Sequence, residues 1–122
     1  MARRTKAQAV PPPAASPAPL VLPAELTIYT VGELHPLWLA WLGQVGRGGS
    51  AERAEAVVDV QAAAVDQIDA AGVQLLLSLH HALAALGRGC RVRDASAVLS
   101  AGCAALGLSD WLARRSMDGA AA

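Results

Sequence analysis

Read for the spacing of hydrophobic and polar positions, the chain changes character several times. Leu26 and Ile28 alternate with Thr27 and Tyr29 in a β-branched and aromatic stretch, the period of a strand. With the preceding Leu20, Val21 and Leu22 this predicts two short strands joined at Pro23 and Ala24. The period then switches: Leu34, Leu37, Trp38, Trp41, Leu42 and Val45 recur at spacings of three and four, which predicts an amphipathic helix with all six on its inner face. Thr30 and Glu33 have the spacing of a capping box, whereas Pro36 belongs in a first turn, so two starts compete. The run GQVGRGGS, residues 43 to 50, predicts the end of that helix.

AVVDVQ, residues 56 to 61, is apolar enough to predict a strand covered on both faces, with Asp59 at its end. The stretch VDQIDAAGVQLLLSLHHALAALG, residues 65 to 87, predicts a long helix capped by Asp69 and terminated by Gly87. CRVRD, residues 90 to 94, predicts a further strand. Ser96 is placed to cap the helix of AVLSAGCAAL, Gly107 to close it, and SDWLARR to add a last turn. Strands and helices alternate, so the expected class is α/β, with helices packed on a sheet.

Composition sharpens the outline. The chain has 122 residues, 54% of them hydrophobic, enough for one core and one domain. Its first eighteen residues are Ala- and Pro-rich and carry Arg3, Arg4 and Lys6 without an acid; they are expected to form a disordered tail. Residues 19 to 116 are then the folded domain and residues 117 to 122 a flexible C-terminus. The net charge is zero, and beyond the tail the balance is slightly acidic, which disfavours nucleic acid as a partner. Cys90 and Cys103 make no CxxC spacing, no apolar run approaches a membrane span, and no secretory leader pattern follows the basic residues. A cytoplasmic location without membrane insertion is the expectation.

Candidate chemistry is sparse. The sole lysine is Lys6, so the folded part supplies neither a phosphate-binding GxxxxGK[ST] loop nor a receiver-type lysine; GxSxG and GxGxxG are absent too. Adjacent residues on a helix point about 100° apart, so His80 and His81 suit one packed and one solvated ring better than a shared metal. Asp59, Asp66 and Asp69 could gather a hard cation, but a strand end, a solvated loop and a helix cap account for them more simply. Trp38 and Trp41 suit core packing, and the two cysteines suit small buried positions. No catalytic residue, metal site or cofactor is expected, and the chain reads as a non-enzyme.

The order of LVLPAELTIYTVGEL, AVVDVQ, IDAAGVQLLLSL, GRGCRVRD and SAVLSAGCAALGLSDWL resembles the STAS domain of anti-sigma factor antagonists, over essentially residues 20 to 114. The resemblance implies a central mixed four-stranded β-sheet flanked by about four helices. It also implies docking onto another protein through the loop before the second helix and that helix's first turn. In the family a D-[ST]-[ST]-G loop offers a hydroxyl to a partner kinase; here the loop is DAAG, and Ala70 and Ala71 can receive no phosphate. The expected partner-binding residues are Asp66, Asp69, Ala70, Ala71, Gly72, Gln74 and Ser78, with His81 also off the buried stripe. A stand-alone signalling module acting on a kinase, anti-sigma factor or chemotaxis component is the first expectation. Second comes an MlaB-type regulatory subunit docking on the ABC ATPase of a lipid transporter, and third a sensor of nucleotides or other small ligands.

Overall fold

A computed structural model of the chain describes residues 18–47 and 57–117, which leaves most of the expected tail and C-terminus, and the end of the GQVGRGGS run, outside the described residues. The elements are β1 (Leu20–Val21), β2 (Glu25–Leu26), α1 (Val31–Arg47), β3 (Val57–Gln61), β4 (Gln67–Ile68), α2 (Ala70–Ala85), β5 (Gly89–Arg93), α3 (Ala97–Ala105) and α4 (Ser109–Met117). The class is α/β, as expected. Among the described residues the strands form a three-stranded sheet, β1–β3–β5, and a two-stranded one, β2–β4. Every pairing among the described residues is parallel, where a mixed four-stranded sheet was expected.

The two sheets are one ribbon interrupted. Leu22 N–H donates to the Gln61 carbonyl at the end of the first ladder, and Asp66 and Gln67 donate to the Ala24 carbonyl at the start of the second. Between them stands Pro23, which has no N–H for a ladder. The expected pair of strands joined at Pro23 and Ala24 is therefore present.

Register fixes which residues share a face. Leu20 lies beside Val60, Val58 beside Cys90, and Val60 beside Val92. Val58, Val60, Cys90 and Val92 are buried in the same cluster as Trp38 and Val45 of α1, Leu76, Leu79 and Leu83 of α2, Leu99 and Cys103 of α3, and Leu112 of α4. All four helices thus bury side chains against one face of the sheet. The opposite face carries Asp59 beside Arg91, Gln61 beside Arg93, and Val21, which is 65% exposed.

This corrects the expectation that residues 56 to 61 are covered on both faces. Asp59 is also mid-strand and not terminal: its carboxylate takes Arg91 Nε at 2.9 Å and Arg93 Nη1 at 3.6 Å. With about a third of each Asp59 and Arg91 side chain exposed, the pair contributes at most about 1 kcal/mol.

The helix ends follow their sequence signals where the backbone demands them. Gly87 and Gly107 both have positive φ, 75° and 77°. At each, the glycine N–H reaches back three residues and the next N–H five, Arg88 to Leu83 and Leu108 to Cys103, the double bond that closes a helix on a left-handed residue. Ser96 accepts from Leu99 N–H at 3.1 Å, as its position predicts.

Helix α1 departs from expectation in three ways. Leu37 does not join the inner face; it is 64% exposed, while Trp38 beside it is 4% exposed, because the 100° step per residue cannot turn both inward. The helix also runs through Gly43 and Gly46 to Arg47. Fully buried Val45 holds the extension, and Arg88 Nη2 donates to the Val45 carbonyl at 3.1 Å, satisfying an acceptor of the last turn. The capping box is not formed, since the Thr30 hydroxyl turns back to the Glu25 carbonyl at 3.0 Å.

Helix and strand approach closely at Gly72. A Cβ there would stand 2.0 Å from the Leu26 carbonyl oxygen, so the first turn of α2 rests directly on β2. Gly72→Ala is expected to destabilise the domain by about 1–3 kcal/mol or more, because the obstacle is backbone and cannot rotate away. Urea unfolding of the two proteins reads this, and a midpoint unchanged by the methyl would show that the approach is looser.

Candidate functional site

The expected docking loop is built around one carboxylate. Asp69 precedes α2 in an extended conformation, and its Oδ1 accepts from Gly72 N–H at 3.0 Å, the expected cap. Its other oxygen, Oδ2, accepts from Ile28 N–H at 2.9 Å, a bond across 41 residues. Asp69 N–H in turn donates to the Leu26 carbonyl. One side chain therefore caps the helix and ties the loop after β2 to it.

That loop is a turn, where strand alternation through Tyr29 was expected. The donors a ladder would use go to side chains instead: Thr27 N–H to the Thr30 hydroxyl, Ile28 N–H to Asp69, and Tyr29 N–H to the Thr27 hydroxyl. The Thr27 hydroxyl donates to Glu25 Oε2 at 2.6 Å, which fixes the turn from below. With the strand ended, Ile28 and Tyr29 do not alternate between faces. Both point outward, 61% and 85% exposed.

The expected partner-binding residues divide by placement. Asp66, Ala70, Gln74 and Ser78 are exposed, as is His81, while Ala71 is half-buried. Gly72 is buried with its open side on Leu26, so its contribution is the close approach of helix to strand and not a surface contact. Asp69 has both oxygens engaged within the chain and acts as a brace. Sequence reasoning missed Ile28 and Tyr29 as surface residues because the alternation Leu26 to Tyr29 fits a strand. The signal available was the pair of threonines at 27 and 30, whose hydroxyls compete for backbone donors.

Ser78 belongs to a second feature, a cleft between α1 and α2 with about 280 Å3 of open space, lined by apolar side chains together with His35. Among the described residues no group of three or more His, Cys, Asp or Glu side chains could hold a metal; Asp59 is occupied by its arginines. His80 packs beside Trp111 and His81 is exposed, the division expected of the pair. Trp38 is core, whereas Trp41 is half-buried and donates its indole N–H to the Ala18 carbonyl at 2.8 Å. Burial pushes the Cys90 thiol up to about 11 and the Cys103 thiol upward, so neither is ionised to act as a nucleophile at neutral pH. No helix among the described residues is long and apolar enough to cross a membrane.

No protein-family model, curated protein or solved structure matches the chain.

Donation by Ile28 N–H, and then by Gly72 and Ala71, holds the Asp69 carboxyl below its ordinary value of 3.8. The folded value is the lower one, so this stabilisation is present above pH 3.8 and is lost as the pH falls through the lowered value. Asp69→Ala is expected to lower the melting temperature at pH 7 and to speed hydrogen exchange at the Ile28 and Gly72 amides together. Exchange quickened at only one of the two would disprove the double tie.

Proposed function

We propose that this chain is a non-enzymatic interaction module of the STAS type, docking on another protein through the turn after β2 and the first turns of α2. The observation that carries the reading is the pair of exposed apolar residues, Ile28 and Tyr29, held beside exposed Ala70 by Asp69. Large apolar side chains on a turn fixed by hydrogen bonds to the side chains of Glu25, Thr27, Thr30 and Asp69 present contact area at small ordering cost, and aromatic anchors are enriched in interfaces. Short side chains at 70 and 71 leave room for a partner's backbone to approach. The module works without a phosphate switch at this loop, because positions 70 and 71 carry methyl groups only.

The resemblance of the element order to anti-sigma factor antagonists makes a kinase, an anti-sigma factor or a chemotaxis component the expected partner, with the chain as a stand-alone signalling regulator. An ABC ATPase of a lipid transporter is the other protein class that the same surface would serve. Pull-down from native cell extract with mass spectrometry, using the unaltered chain, Ala70→Glu and Tyr29→Ala, tests this. Burying an unpaired carboxylate or losing the aromatic anchor should each weaken binding at least tenfold, which a cost above about 1.4 kcal/mol would produce, while circular dichroism stays unchanged. A kinase, anti-sigma factor or chemotaxis protein lost from both variants supports the signalling reading, and a lost ATPase supports the transporter reading. If folded Ala70→Glu and Tyr29→Ala retain every partner, the surface is misplaced.

A further inference from the structure

A second arrangement lies where α2, α4 and β5 meet, away from the docking turn. Arg115 of α4 is only 7% exposed, and the ion pairs among the described residues are those of Asp59, so no described carboxylate meets this guanidinium. Its Nη1 stands instead 3.4 Å from Nδ1 and 3.2 Å from Nε2 of His80 on α2. A nitrogen nearly equidistant from both ring nitrogens cannot lie in the ring plane, where it would collide with Cε1. Nη1 therefore stands out of the ring plane, within hydrogen-bonding reach of the imidazole nitrogens. Trp111, one turn earlier on α4, meets the same imidazole edge-on, at 5.6 Å between centroids and 82° between planes.

This packing is compatible only with a neutral ring. A proton on His80 would set one positive charge against another already withdrawn from water. The groups that could compensate do not: Arg115 faces it from α4, His81 is another base on its own helix, and Cys90 on β5 keeps its proton. Arg115 Nε and Trp111 Nε1 are buried without hydrogen-bond partners, so this contact has few reserves.

We propose that His80 and Arg115 form an acid-released latch, in which protonation of His80 detaches α4 from α2 and β5 while the sheet and the other helices stay folded. Burial first, then Arg115 and then His81 hold the His80 imidazole below its ordinary value of 6.5. The folded value is the depressed one. The latch is thus complete above pH 6.5 and weakens as the pH falls through the lowered value.

Amide exchange by NMR on the full chain between pH 7.5 and 5 provides the test. Below pH 6.5, protection factors at Leu112 to Ser116 should fall by up to about tenfold per pH unit, while those of Val58, Val60 and Val92 hold. His80→Gln should flatten that dependence, and His81→Gln should leave it in place. Arg115→Met should raise the titration point of the His80 ring toward its ordinary 6.5, the shift expected when a facing positive charge is removed. The latch is overturned by an equal pH dependence in the unaltered chain and His80→Gln. It is overturned equally, should His80→Gln fail to fold, by a His80 titration that Arg115→Met does not move.

Discussion

The seating of α2 on β2 is the constraint on which the rest of the structure depends. Gly72 lets the helix come so near the Leu26 carbonyl that no side chain could intervene, and Asp69 then has one oxygen within reach of its own helix and one within reach of Ile28. Two segments far apart in the chain are thereby joined. Tyr29 owes its position to this bracing and not to packing of its own, since it is almost wholly in solvent. The same carboxylate cannot both brace the turn and greet a partner with its full hydrogen-bonding capacity. The proposed docking surface is therefore apolar and short-chained in character, with exposed Gln74 and Ser78 as the polar residues further along α2.

Much of the fold is legible in the residues because local signals and tertiary demands agree. Asp69, Ser96, Gly87 and Gly107 each do what their positions predict, since caps and left-handed closures are solved within a few residues. Legibility fails where a distant residue decides. Ile28 leaves the strand because Asp69, far along the chain, takes its N–H. Helix α1 outruns its glycines because Arg88 holds the Val45 carbonyl. Leu37 looks apolar enough for the core, yet Trp38 beside it fills that direction. The face of β3 bearing Asp59 is open because arginines two strand positions apart on β5 fall into register with it, a fact of strand pairing that no single segment announces.

The single core also explains why the candidate site is a surface and not a pocket. All four helices bury side chains against one face of the sheet, and the strand ends at the docking turn are closed by backbone-to-side-chain bonds. Such a construction leaves Ala70 at the start of α2 exposed.

The all-parallel pairing has a consequence for how the chain acquires its shape. Leu20 finds its ladder partner, Val60, only after about forty further residues, and the crossover helix α1 lies between them. Strands β3 and β5 are separated by α2 and a shorter stretch of chain, so their loop closes at lower entropic cost. During synthesis β1 and α1 leave the ribosome first, yet the edge they are to cover has not been made. The N-terminal third of the domain must wait with Trp38 and Val45 uncovered until the middle third arrives, which makes the interval between those two segments the one most exposed to misassociation.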